Sequence, residues 1–386
     1  MRGPSGSGLV IAGGGLAGAA AACMVARAGR EVTVLERDRA PQHKVCGEFI
    51  SAEAQGYLHD LGIDPLALGA RMIHTVGLIL GERCVDVPLP FSGLSLSRKV
   101  LDDALLLRAA ALGAVVHRGT AVREIETRGR IRIQVANGDP ISADALFLAS
   151  GKHDLPGFRR TAKRSTGFLV GFKNYYALNE AQRSAMDGRV ELILLKHGYA
   201  GLQQIEGAWV NVCLLVEQDY FQAAGASWPR LLQHLLDESV HLKARLANAR
   251  PMLDKPLAIA RVPYGFLYRP EPADPSGLYR LGDQMAVIDS FTGDGMSIAL
   301  HSALAAASSY LAGGTAVQYH RRMMRDVAQQ VRLAAILYRC CSAPLGRHAL
   351  FLLCRLWPGL LRIAARQTRV APRAVTLTRA AGYAVS

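Results

Sequence analysis

Two glycine-rich turns and a few isolated polar residues are the parts of this 386-residue sequence equipped for chemistry. The first turn, Val10–Ile11–Ala12–Gly13–Gly14–Gly15–Leu16–Ala17–Gly18, leads from an apolar run into a small-residue helical stretch and then into Glu31–Val32–Thr33–Val34–Leu35–Glu36. This spacing predicts a dinucleotide-binding βαβ unit. Gly13 makes the tight turn, Gly15 lets a pyrophosphate approach the backbone, and Gly18 lets helix and strand pack closely. Leu16 and Ala17 fall in the first helical turn, where N–H groups face the phosphates. Glu36 closes the second strand, eighteen residues after Gly18, where a carboxylate accepts from ribose hydroxyls, with Arg37 beside it. A chance Gly-rich turn is the alternative reading, and the strand, helix, strand and acid at the expected spacing argue against it.

The second turn follows the strand-like Leu278–Tyr279–Arg280–Leu281: Gly282–Asp283, then Ser290–Phe291–Thr292–Gly293–Asp294–Gly295–Met296 and a helical stretch, Ser297–Ala307. Between the turns lie Ser97–Arg98 with Leu101–Leu106, and Asp144–Gly151 followed by Lys152–His153–Asp154. In this order the segments resemble flavoproteins related to p-hydroxybenzoate hydroxylase and geranylgeranyl reductase. The resemblance covers about residues 8–310. It implies bound FAD, with Asp283 on a ribityl hydroxyl and Gly293, Gly295 and Met296 bringing N–H groups and a helix end to the flavin pyrimidine ring. It also implies that Arg98 contacts the cofactor and that Gly151 supports the pyrophosphate. Arg98 as a solvated helix-start residue, and His153 as a hydrogen-bonded hinge residue, are the plainer readings. No second GxGxxG occurs in a βαβ context, so NAD(P)H is expected to bind transiently.

Lys44–Val45–Cys46–Gly47–Glu48–Phe49–Ile50 and Phe291–Met296 look closer to geranylgeranyl reductases than to simple phenol hydroxylases. The isoprenoid-gripping Gly-Tyr-x-Trp-x-Phe-Pro of those reductases has only Gly198–Tyr199–Ala200–Gly201–Leu202–Gln203 as its counterpart, without the Trp and Phe-Pro. Flavin halogenases carry Trp-x-Trp-x-Ile-Pro, whereas Trp209, Trp228 and Trp357 are isolated, which counts against halogenation. Hydroxylases often place prolines where this chain has Asp289–Ser290. The balance favours an FAD-dependent monooxygenase acting on a hydrophobic, aromatic, polyketide-like molecule of secondary metabolism with NAD(P)H and O2. Reduction of a prenyl or alkene group is the alternative, and a non-catalytic FAD-binding protein a third. Asp289 as base, Cys46 as redox or proton-relay thiol and Tyr199 are the catalytic candidates; Tyr264, Phe266 and Phe291 are pocket candidates. For each, ordinary packing or turn capping competes.

The elements that must position these residues read as α/β. The predicted architecture is a discontinuous Rossmann-like FAD-binding domain (1–157 plus 256–312), an antiparallel-sheet substrate domain (158–255) and an Arg-rich helical region (313–386). Runs such as Val190–Leu195 and Trp209–Val216 predict strands roofing the flavin. A hydrophobic content of 50% gives ample core. Seven scattered cysteines without CxxC spacing argue against a metal site or disulfide framework and for a reducing, cytoplasmic setting. From His320 onward twelve arginines face one acid, Asp326, which places +11 of the net +14 in the last 67 residues. The nearly neutral body and the lack of any nucleic-acid module argue against nucleic acid as a partner. Arg347, Arg355, Arg362, Arg366, Arg369 and Arg373 fall in one helical arc opposite Leu353, Leu356, Trp357, Leu360, Leu361 and Ile363, the pattern of a helix lying on a membrane. The alternative packs that apolar face on the body, and Pro358 marks a kink or a second helix start.

Overall fold

The computed structural model describes residues 7–160, 168–272 and 274–383, so the expected domain ends at 1–6 and 384–386 and the segment 161–167 lie outside the described residues. The first half runs β1 (Ser7–Ala12), α1 (Leu16–Arg27), β2 (Val32–Glu36), β3 (Phe49–Ile50), α2 (Ala52–Asp60), β4 (Arg71–Leu80), β5 (Arg83–Ser95), α3 (Arg98–Ala111), β6 (Val115–Arg118), β7 (Val122–Glu126), β8 (Ile131–Val135) and β9 (Ile141–Leu148). The middle runs β10 (Leu169–Ala177), α4 (Glu180–Ser184), β11 (Arg189–Leu195), β12 (Gly198–Gln204), β13 (Val210–Glu217), α5 (Gln218–Ala223), α6 (Trp228–Glu238), α7 (Val240–Leu246), β14 (Arg250–Pro251) and β15 (Leu257–Ala260). The chain ends with β16 (Leu278–Arg280), α8 (Gly295–Leu311), α9 (Ala316–Ser342), α10 (Pro344–Leu356), α11 (Gly359–Gln367) and α12 (Pro372–Tyr383).

The fold is α/β, with two sheets. In the first, β6, β2, β1, β9 and β16 are parallel neighbours, and β8 and β7 add an antiparallel flank to β9. A parallel strand needs both faces covered, and α1, the small-residue helix, packs against α3 and α8 to cover one of them. Alanines along α1 let these helices approach closely, so α1 is buried along almost its whole length.

The second sheet runs β14-β10-β13-β12-β11-β4-β5-β3, with β15 pairing the far side of β10. Its pairs are antiparallel except β11 with β4. Residues 71–95 and 257–260, expected in the nucleotide-binding part, hydrogen-bond into this second sheet instead. Their alternating strand pattern looks the same whichever sheet they join, so the sequence does not distinguish the two. Helices α10 and α11 lie against β4 and β5. No single described helix is long and apolar enough to cross a membrane.

Candidate active site

A cavity of about 680 Å³ opens along the C-terminal ends of the parallel strands, within the ~300–1,000 Å³ span of ligand clefts and where open α/β sheets bind ligands. One end is lined by Glu36, Arg37, Asp38 and Thr120–Arg123, the other by Ile259, Tyr264, Val287, Ile288 and Ser290. Gly13 has φ +109°, and a Cβ there would lie 2.4 Å from the Ala149 carbonyl oxygen. A Cβ on Gly18 would lie 1.9 Å from the Gly13 oxygen, which is the close helix–strand contact the motif requires. Gly15 caps α1 without a side-chain hydrogen bond, leaving the helix N-terminus open toward the cavity. Lys44 Nζ and Arg98 Nη2 stand 3.3 and 3.7 Å from where a Gly15 Cβ would sit.

Those two cations share one carboxylate. Asp102 takes Lys44 Nζ at 2.9 Å and Arg98 Nε and Nη2 at 2.7 and 2.9 Å. Burial opposes ionisation of Asp102, yet Arg98 and Lys44 hold its carboxyl below the usual carboxylate range. The cluster thus keeps one positive charge in excess beside a helix N-terminus, a chemistry suited to pyrophosphate. Glu36 Oε2 accepts from the Gly14 N–H at 2.7 Å and Oε1 from Asp38 N–H at 2.9 Å, so the acid is locked at the ribose position. The residues present therefore fit FAD: an anion cradle that a Cβ would fill, an acid at the ribose end, and Gly282–Asp283 and Gly293–Met296 further along the same cavity.

Side chains from other segments hold several of the loops that line the cavity. Lys173 Nζ donates to the Lys44 carbonyl at 3.0 Å, Lys152 Nζ to Val45 at 2.7 Å, and Asn211 Nδ2 to Cys46 and Gly47 at 3.2 and 3.0 Å. The next residue, Glu48, has φ 63° and is fully buried, with Lys173 Nζ 2.5 Å away. Burial pushes its carboxyl upward. Donation from Lys173, Tyr175 Oη, Asn211 Nδ2 and Arg98 N–H opposes that shift. Gln284 Nε2 donates to Gly151 and His153 carbonyls at 2.9 and 3.0 Å, and buried Arg160 donates to the Asp283 carbonyl at 2.8 Å.

The 292–294 loop is held by Arg369, from the junction beyond α11. Its guanidinium donates to the Thr292 carbonyl and to Asp294 Oδ1, both at 3.1 Å, and sits over the rings of Phe49 and Phe91 at 5.4 and 5.1 Å. Asp294, at the N-terminus of α8, is pushed up to about 7 by burial, with Arg369 pulling the other way.

The cavity brings together the predicted Gly13, Gly15, Leu16, Ala17, Glu36, Arg37, Cys46, Arg98, Gly151, Gly282, Asp283, Gly293, Gly295, Met296 and Tyr264. Gly18 lies beneath it as a packing contact. Four candidates stand outside the lining. Asp289 is 1% exposed and its carbonyl accepts from Thr292 in the turn behind the flavin loop. Tyr199 faces inward from the central strand β12 and meets Phe291 edge-on at 5.6 Å, while Phe266 packs in the same apolar cluster. Nearness in sequence to lining residues placed Asp289, Phe266 and Phe291 one layer too close. His153 sits against Arg37 at 3.0 Å, and burial lowers its pKa. Sequence reasoning missed Glu48, Arg160, Lys173, Asn211 and the role of Arg369. A signal existed for Lys173–Asn174 and Asn211, polar residues inside the apolar runs of β10 and β13, but none for Arg369.

Residues 11–75 match the family described as NAD(P)-binding Rossmann-like domain. The chain is 26% identical over 356 residues to a menaquinone reductase of Mycolicibacterium smegmatis, spanning 86% of this chain and 85% of that one. It is 23% identical over 326 residues to the squalene monooxygenase of Mus musculus, spanning 76% of this chain and 52% of that longer one. Among solved structures, the flavin-dependent brominase Bmp2 superposes over 98% of both chains with TM-score 0.79 at 19% identity, a likeness of fold. The nucleotide cradle, the flavin loops and these relatives agree on an FAD-dependent oxidoreductase.

Proposed function

We propose that this flavoprotein is a monooxygenase that hydroxylates a hydrophobic, aromatic, polyketide-like small molecule with NAD(P)H and dioxygen. The observation that carries this reading is the cavity wall at the end away from Glu36. Ile259, Tyr264, Val287, Ile288 and Ser290 include no carboxyl group, and burial pushes the Tyr264 phenol above its ordinary value. Bound FAD supplies the redox chemistry. The chain's own part is to hold an aromatic ring against this apolar wall, to orient a phenolic oxygen by the Tyr264–Ser290 hydroxyl pair, 3.1 Å apart, and to keep water out. A phenol whose pKa is raised is a poorer acid, so this wall serves oxygen transfer better than protonation of an alkene carbon.

A second reading, reduction of a prenyl or alkene group, draws support from the menaquinone reductase relative and from Cys46, whose thiol lines the cavity and accepts from the Glu48 N–H at 3.4 Å. One experiment separates them. The purified holoprotein is given NADPH with alkylphenols or prenylated quinones under ¹⁸O₂ and without oxygen. One labelled oxygen in the product, with no product anaerobically, supports the monooxygenase. Equal anaerobic turnover with gain of two hydrogens replaces it by the reductase.

A further inference from the structure

The single basic helix face expected at the C-terminus does not form. Pro358 stops the helix, the axes on either side of Trp357–Pro358 bend by 113°, and two of the six arginines turn inward. Arg347 donates to the Leu195 and Lys196 carbonyls at 2.6 and 3.1 Å, and Arg369 grips the flavin loop. What remains outside is more pointed than the sequence pattern. Helix α10 is apolar on two faces. Phe351 and Cys354 face the sheet, while Leu345, Leu352, Leu353 and Leu356 project outward at helical spacing. Leu345 is 88% exposed, Leu356 74% and the adjoining Trp357 58%. A soluble surface scatters such residues singly, and a contiguous stripe of them marks an interface.

From this stripe we infer that the α10–α11 corner docks on an anionic lipid surface, the leucines and Trp357 entering the headgroup boundary and Arg355, Arg362 and Arg366 meeting lipid phosphates. Three observations select lipid over other occupants. The three arginines are exposed and flank the apolar stripe, and residues 327–386 contain no Asp or Glu, so the charge this segment brings is of one sign. A second copy docking face to face would set arginine against arginine. Trp beside leucines with Arg at the rim is the composition of an interfacial helix. The apolar packing is also continuous inward: Leu360 and Leu361 share a cluster with Leu192 and Phe291, and those two pack in turn with Tyr199 and Tyr264. A lipophilic molecule leaving the bilayer at this corner meets an apolar seam that ends at the flavin cavity.

The docking itself does not depend on which reaction the flavin performs, so its test uses no substrate. Full-length holoprotein is sedimented with vesicles of phosphatidylglycerol and phosphatidylcholine, and with phosphatidylcholine alone. Binding is expected to the anionic vesicles, to weaken several-fold when salt is raised from about 0.05 to about 0.5 M, and to blue-shift Trp357 emission, a shift absent in W357F. The surface variant L353S/L356S, whose side chains touch no core, is expected to bind at least tenfold more weakly while retaining its flavin spectrum. R355Q/R362Q/R366Q is expected to lose the preference for anionic vesicles. Protein that stays in the supernatant with anionic vesicles at low salt overturns the proposal. A concentration-dependent dimer in sedimentation velocity that L353S/L356S makes monomeric also overturns it, by assigning the face to a second copy.

Discussion

Replacing Arg369 by methionine removes one side chain from a segment far from either glycine motif, and the structure gives the size and pH dependence of the effect. Asp294 Oδ1 loses its cation, and the Thr292 carbonyl loses its donor. Breaking a buried ion pair by deleting one partner costs about 3–5 kcal/mol when the other stays charged. Asp294 can escape by protonation, because burial has already raised it to about 7. The sign follows from linkage: a carboxyl raised in the folded state favours folding below its unfolded value, and that contribution is lost as pH rises through the folded one. Without Arg369 the folded value climbs further. At about pH 6 both proteins carry a neutral Asp294, and the variant loses only hydrogen bonds to carbonyls, roughly 1–2 kcal/mol. At about pH 8.5 the wild-type pair is ionised, and the variant must either bury an uncompensated charge or take up a proton, so the loss grows to about 3 kcal/mol. Urea denaturation followed by circular dichroism at the two pH values measures this directly. FAD titration of the same variant is expected to show at least tenfold weaker binding, since Gly293 and Gly295 lose their anchor. D294N should remove the pH dependence and rescue part of the stability of R369M. A loss equal at both pH values, or one that D294N leaves unchanged, refutes the reasoning.

Other expectations follow from the same contacts. G15V should fold, because its Cβ meets only side-chain ends, those of Lys44, Arg98 and Asp102, none nearer than 3.3 Å, but should bind FAD at least tenfold more weakly; G18A, whose Cβ would overlap the Gly13 oxygen, should yield little folded protein. D283A should release flavin on gel filtration while keeping its circular dichroism spectrum. K173M takes the cation from the buried Glu48 carboxyl and should cost roughly 1–3 kcal/mol in denaturation, most of it recovered in K173M/E48Q.

The nucleotide cradle was legible because its constraints are local. Gly13, Gly15 and Gly18 answer to contacts within one turn and the neighbouring strands, and the spacing to Glu36 is set by one helix and two connections. The second motif was legible for the same reason. The partition of strands between the two sheets was not, because residues 71–95 and 257–260 carry the alternation of a half-buried strand without any mark of which neighbour they join. Asp289, Tyr199, Phe266 and Phe291 show the limit of reading by adjacency. A residue beside a lining residue can stay out of the lining itself, as Asp289 does, and Tyr199 packs with Tyr264 and Phe291 without lining the cavity. The C-terminal arc failed at Pro358, where periodicity carried across a break assigned Arg347 and Arg369 to solvent, although each ends at a backbone carbonyl of the body.

The buried donors missed by sequence reading share one physical task. Carbonyls of Lys44, Val45, Cys46, Gly47, Gly151, Asp283 and Thr292 all lie in loops lining the cavity, and each is taken by a side chain from another segment. A loop whose carbonyls are occupied from behind is fixed without spending its N–H groups, and N–H groups are what an anionic cofactor needs from it. Four of those donors, Lys152, Arg160, Lys173 and Arg369, are also cations. Three carry carboxylate partners, Arg160 at Asp154, Lys173 at Glu48 and Arg369 at Asp294, which keeps the net charge behind the loops small while directing the positive ends inward. Neutral amides could satisfy the same carbonyls, as Asn211 and Gln284 do. Cations do so and add a field that favours negative charge in the cavity, where low dielectric makes that field strong. The surface excess of arginine at the C-terminus and the buried cations behind the cofactor loops are thus separate devices, and Arg369, two residues beyond the end of α11, is where the same segment supplies both.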